Sequence, residues 1–173
     1  MKKIFITLLM ACASFYAQAQ YALPVGGKQL NAGVGFSSWG IPIYVGMDFG
    51  VHKDISVGGE LSFRSWNAGK YYDLSKTGFY DYSFSVFGIA ANGNYHFNYL
   101  LKIPKEWDFY AGVNLGIYIL SSSNNVYAAS YIAPGVGLQV GGRYYFSDKF
   151  GINLEFGGGN VFGGGKVGIT YKF

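Results

Sequence analysis

With 173 residues, of which 50% are hydrophobic, 20% aromatic and only 13% charged, at a formal charge of +4, the chain has the length of one domain. It carries roughly half the charge of an ordinary soluble domain (about 25%), which does not suit a cytosolic globule. No stretch beyond the N-terminus reaches the ~18 to 20 apolar residues of a membrane-spanning helix, so membrane insertion would have to use strands.

Met1 to Lys3 is a short cationic start, Ile4 to Ala17 is an apolar run, and Ala17-Gln18-Ala19 fits the small-x-small rule for leader cleavage. The spacing predicts a secretory signal over residues 1–19 and a mature domain over 20–173. Leu9-Met10-Ala11-Cys12 offers a second reading, a lipobox that would leave Cys12 as a lipid-modified N-terminus. Cleavage after Ala19 removes Lys2, Lys3 and the single cysteine, and leaves 11 basic against 9 acidic residues. No thiol chemistry survives, and the dispersed charges form no basic stripe for nucleic acid.

Alternation of period two then runs through the mature chain. The first strand sets Leu30, Ala32, Val34 and Phe36 against Gln29, Asn31, Gly33, Gly35 and Ser37. The second spans Ile43 to His52, and the third runs from Ile55 to about Arg64. A fourth runs from about Tyr80 to Phe97, where the apolar parity changes and a bulge near Val86 is expected. The fifth, from Trp107 to Ile119, alternates most regularly. The sixth starts near Gly135, the seventh covers Phe150 to Gly157, and the last sets Val167, Ile169, Tyr171 and Phe173 against Lys166, Gly168, Thr170 and Lys172. Short turns centre on Lys53 and Asp148, each keeping the apolar residues on one face. Longer connections are expected at 67–79, 121–130 and 158–163, on the opposite rim. The connection at 98–106 is longer than its rim predicts.

Composition of the polar face decides what the apolar face meets. An exterior turned to water would carry many Lys and Glu, whereas here the polar face is mostly Gly, Asn, Ser and Gln. Small polar residues suit the crowded lumen of an eight-stranded barrel, and bulky apolar residues suit lipid. Aromatics gather near strand ends on the short-turn rim, among them Tyr95, Phe97, Trp107, Phe109, Tyr144, Phe146, Phe150, Tyr171 and Phe173, as an interfacial girdle would.

The leader, the eight amphipathic strands and the ending Val167-x-Ile169-x-Tyr171-x-Phe173 resemble the small outer-membrane barrels typified by the transmembrane domain of outer membrane protein A and its shorter relatives. The Ala-Gln-Ala-Gln leader ending is similar to those common in Bacteroidota. The resemblance implies an all-β, eight-stranded antiparallel up-and-down barrel in a Gram-negative outer membrane, with both termini periplasmic. It also implies that Phe173, with Tyr171, is an assembly signal read by the barrel-assembly machinery. The group includes structural proteins, adhesins and a few enzymes.

Motifs for catalysis are thin. Gly135-Val136-Gly137 lacks the third glycine of a dinucleotide fingerprint, and Gly165-Lys166 is followed by Val167 instead of Ser or Thr. His52 and His96 both map near the short-turn rim, whereas barrel enzymes that modify lipids place a His with Ser or Asp at the outer rim or lipid face. No catalytic residue, cofactor or metal ligand is therefore assigned. The inward parity instead collects Asp48, Glu60, Arg64, Asp108, Arg143, Glu155, Lys166 and Lys172, an interior ionic network whose buried charges must be paired. On the register of the sixth and seventh strands, Arg143 faces Asn153 and lies diagonal to Glu155, the expected partner. Trp66, Tyr71, Tyr72 and Tyr127 in the long connections are the candidate contact residues. The expected role is structural, adhesive or partner-binding, with membrane lipid and envelope proteins as partners, as part of a secretion or conjugation machine in one version. The alternatives are a lipid-modifying enzyme and a narrow porin-like channel.

Overall fold

The computed structural model describes residues 23–37, 40–73, 78–123, 128–160 and 163–173. The leader, including Cys12, lies outside the described residues. Strands β1 (Lys28–Ser37), β2 (Ile43–His52), β3 (Ile55–Asp73), β4 (Gly78–His96), β5 (Trp107–Ser123), β6 (Ala128–Tyr145), β7 (Phe150–Gly159) and β8 (Gly163–Lys172) form a closed barrel in sequence order. Every neighbouring pair is antiparallel, and β1 closes on β8 from Gln29↔Lys172 to Ser37↔Gly164.

The period-two pattern forms a barrel that is inside out relative to a soluble protein. Ile117, Leu138, Val140 and Ile152 stand on the exposed face, whereas Gln29, Asp108, Arg143 and Thr170 are among the most buried side chains. Large inward side chains are accommodated by glycines on the facing strand. Tyr118 lies over Gly135 and Tyr110 over Gly141, where an added Cβ would overlap the rings.

Two expectations are corrected and a third connection is filled in. The long connections are mostly strand: β3 and β4 run 19 residues each, β5 17 and β6 18, against 10 for each of the other four. About 9 to 11 residues cross a membrane, so these two hairpins project roughly 25 Å further along the strand direction. There is no bulge at Val86. The β4–β5 pairing is continuous from Ser83↔Ser123 to His96↔Tyr110, and the irregularity falls on β3 between Asn67 and Gly69. Phe84 and Val86 simply keep the inward parity of Gly88 and Asn94, because the end of the lumen away from the short turns, called the outer end, is lined by apolar groups. Finally, the 98–106 connection contains a helical turn, α1 (Asn98–Leu101), ended by Lys102 in the left-handed region.

The rim that carries the short turns is closed by the segment before β1. Leu23 is 3% exposed, and the Gly26 and Gly50 amides donate to the Gly50 and Gly27 carbonyls at 2.8 and 3.0 Å. A Cβ on Gly50 would overlap the Pro24 carbonyl, so the tuck requires glycine there.

Candidate functional site

The lumen holds two polar layers. In the lower one, Arg143 on β6 reaches two carboxylates, Asp48 through Nη2 at 2.7 Å and Asp108 through Nη1 at 3.0 Å. Asp108 stands directly opposite Arg143 on β5, and Asp48 reaches across from β2. Asp48 also accepts from Asn31 Nδ2 at 2.9 Å and from Asn92 Nδ2 at 3.0 Å. Gln29 completes the layer with its Oε1 turned to Arg143 Nε and Thr170 Oγ1, both at 3.0 Å. That orientation avoids setting an amide N–H against the guanidinium. Arg143 is 2% exposed and all its charge partners are internal, as a buried cation requires.

The upper layer is built on Lys166, whose Nζ lies 2.7 Å from both Glu60 Oε2 and Glu155 Oε1. Tyr110 joins the layers: its hydroxyl donates to Glu155 Oε2 at 2.9 Å, and its ring carries the Arg143 guanidinium 4.3 Å from the centroid. Here the expected Arg143–Glu155 pair is corrected. The register is as read, with Arg143 opposite Asn153. Each charge nevertheless has an opposite sign directly across its other seam, Asp108 for Arg143 and Lys166 for Glu155. Direct neighbours are closer than diagonal ones, so the diagonal pair loses. Arg64 stands inward near the outer mouth and is 6% exposed; with Lys166, Glu60 and Tyr118 it lines a cavity of about 40 Å³. Below it a second cavity of about 20 Å³ is bounded by Asp48, Arg143 and Asn153. These hold a few waters at most, so side chains fill the lumen.

The sequence reading placed His96 near the rim and missed its neighbours. His96 Nδ1 lies 2.7 Å from Asp108 Oδ1, and Nε2 lies 2.9 Å from Ser56 Oγ. The Nδ1–H tautomer donates to the carboxylate and accepts the serine proton, the order of groups found in serine hydrolases. Ser56 and Asp108 are 0% exposed and His96 3%, with Asp108 also committed to Arg143. A nucleophile needs room for a carbonyl carbon at its oxygen, and this one has none. The relay ties β3, β4 and β5 together near the short-turn rim. His52 is elsewhere, exposed on its turn, accepting through Nδ1 from the Asp54 amide at 3.3 Å. Phe173 ends the chain 64% exposed, its amide donating to the Lys28 carbonyl at 3.0 Å and its ring edge-on to Tyr171 at 5.3 Å.

At the outer end, the β6–β7 pairing stops at Gly137↔Gly159, while β5–β6 pairing continues to Ser123↔Ala128 and β3–β4 to Asp73↔Gly78. Half of the barrel wall therefore rises above the rest as a four-stranded sheet. Its inward-parity face carries Trp66 stacked on Phe84 at 5.2 Å, together with Val86, Leu120, Ala129 and Tyr131, around a cavity of about 440 Å³. Tyr131 is 62% exposed there. Pro134 turns its carbonyl to the β7 side, accepting from Asn160 Nδ2 at 3.0 Å, and offers no N–H on that edge. Of the candidate contact residues, Trp66 belongs to this face. Tyr71 and Tyr72 lie within β3, with backbones paired to Tyr80 and Phe79. Their side chains, and Tyr127, lie outside the described residues.

A family model described as "Domain of unknown function (DUF2715)" matches residues 15–173. No curated protein matches in sequence. Among solved structures, the N-terminal β-barrel domain of Pseudomonas aeruginosa OprF is similar at TM-score 0.57 and 14% identity, over 86% of this chain and 98% of that one. Ail, the attachment invasion locus protein of Yersinia pestis, is similar at TM-score 0.57 and 13% identity, over 87% of this chain and 100% of that one. Neisserial surface protein A gives 0.54 and 14%, over 85% and 95%. At these identities the likeness is one of fold, that of the small outer-membrane barrel.

Proposed function

We propose that this chain, which belongs to the DUF2715 family, is an outer-membrane scaffold that presents the projecting β3–β6 sheet as its contact surface for an external or envelope partner. In this reading residues 1–19 are the secretory leader, residues 20–173 are the barrel, and Phe173 with Tyr171 forms the assembly signal. One observation carries it: strands twice as long as a bilayer crossing needs occur on one half of the wall only, and the inner face of that half is aromatic. A barrel that only had to anchor itself would gain nothing from those extra residues. An exposed apolar concavity of this size is the common form of a binding surface. The name of Ail, an attachment protein of the same fold, is consistent with an adhesive version of this role. The filled lumen weighs against a channel, and the closed Ser56–His96–Asp108 relay weighs against a hydrolase.

The test is photocrosslinking in live cells. A benzophenone side chain at Leu120 or Ala129, on the aromatic face, is expected to give a discrete protein adduct, and one at lipid-facing Ile152 to give none. Trimming 69–81 and 123–128 should abolish the binding phenotype while the shortened barrel still migrates differently before and after boiling. Adducts absent at both outer positions, with no phenotype on trimming, would overturn the assignment. A changed acyl pattern of the membrane lipids on deleting the gene would instead support a lipid-modifying enzyme.

A further inference from the structure

The connection that is too long for its rim reads Phe97-Asn98-Tyr99-Leu100-Leu101-Lys102-Ile103-Pro104-Lys105. Asn98 anchors it by donating from Nδ2 to the Trp107 carbonyl, and Trp107 in turn donates to the Pro104 carbonyl at 3.0 Å. The turn is thus held firmly, and it holds its apolar side chains outward. Tyr99, Leu100 and Leu101 are 53%, 62% and 64% exposed. In water three contiguous exposed apolar residues would be a liability; at the edge of a bilayer they extend the girdle of Phe97, Trp107 and Phe109.

Three lysines and three carboxylates stand beside them. Lys53, on the neighbouring turn, places Nζ 3.8 Å from the Tyr99 ring centroid, and Lys102 and Lys105 follow the leucines. Asp54 and Asp148 approach Lys53 and Lys105 at 3.8 and 3.7 Å, the latter an exposed pair of little strength. Glu106 is the remaining carboxylate of the segment. Lys102 has φ of 52°, the only positive value at a non-glycine among the described residues. A glycine or asparagine would close the helical turn there with less strain, so the lysine needs another reason.

We propose that this turn is an interfacial anchor that selects anionic phospholipid, of the phosphatidylglycerol type, in the leaflet facing it: Tyr99, Leu100 and Leu101 enter the acyl boundary, and Lys53, Lys102 and Lys105 meet the phosphates. The inference rests on the outer-membrane reading. It commits to lipid over a soluble periplasmic partner because the apolar residues are continuous with the lipid-facing girdle and Lys102, exposed and in no ion pair among the described residues, is complementary to phosphate.

The test uses the full mature barrel with Trp39→Phe and Trp66→Phe, leaving Trp107 beside the turn as reporter. The barrel is inserted into phosphatidylcholine vesicles containing a minority of phosphatidylglycerol, and insertion is verified by a mobility change on boiling. Failure at that step contradicts the membrane reading, not the lipid preference. Brominated phosphatidylglycerol should quench Trp107 as if enriched about fivefold over its bulk fraction, the size expected from one lysine at an anionic surface. K53Q/K102G/K105Q should bring the enrichment to about one. Lys102→Gly alone should lower it while leaving thermal stability equal or higher, since glycine suits the positive φ. Quenching by brominated phosphatidylglycerol no greater than that by brominated phosphatidylcholine at the same bulk fraction, or enrichment retained in the triple variant, would overturn the proposal.

Discussion

Replacing Arg143 by Met should lower the unfolding free energy of the barrel by about 3–5 kcal/mol, because it strands Asp48 and Asp108 in a buried layer with little room for water. Both carboxylates lie within 3.0 Å of the guanidinium, with side-chain exposures of 1–3%. Asn31 and Asn92, neutral amides on Asp48, do not replace the lost cation. The origin of the penalty can be isolated by adding Asp48→Asn and Asp108→Asn, which should recover most of the loss. In a double-mutant cycle read by urea unfolding in detergent, Arg143 and Asp48 should couple strongly, and Arg143 and Glu155 only weakly through Tyr110. Strong Arg143–Glu155 coupling with none to Asp48 would contradict the layer as described.

Lys166→Met should cost less, about 1.5–3 kcal/mol, although it also strands two carboxylates. The difference is access to water. Lys166 and Glu60 side chains are 14% and 24% exposed, and the cavity beside them opens toward the outer mouth. Glu60 can regain hydration that Asp108 cannot. The two variants together describe a lumen that dries from the outer mouth inward. A loss for Lys166→Met equal to or above that for Arg143→Met would contradict this gradient.

The sequence made the barrel legible because alternation is written into every strand, and because small polar residues on one parity and large apolar residues on the other leave one arrangement in a membrane. Pairing inside the lumen was legible in part. A connection spanning 158–163 already places Glu155 opposite Lys166, and one spanning 121–130 places Asp108 opposite Arg143. The diagonal to Glu155 follows from the Asp148 turn, which sets the β6–β7 register alone, whereas the closer partners lie across the β5–β6 and β7–β8 seams. The hairpin extensions were hidden because polar residues run consecutively there: Ser121, Ser122 and Ser123 show no alternation while remaining strand. The Ser56–His96–Asp108 relay needed the registers of both β3–β4 and β4–β5, and the bulge at Asn67–Gly69 lies in the first of them.

In the proposed orientation the chain crosses an outer membrane with the β3–β6 sheet outside and the short turns inside. Cys12, the single cysteine of the sequence, falls within the proposed leader, so in this reading a single introduced thiol reports its own side of the membrane without background. Asn125→Cys, in the 121–130 connection, should react with a membrane-impermeant maleimide on intact cells, whereas Asp148→Cys should react only after the outer membrane is permeabilised. Labelling of Asp148→Cys on intact cells with Asn125→Cys protected, or recovery of both as soluble periplasmic protein, would contradict the account.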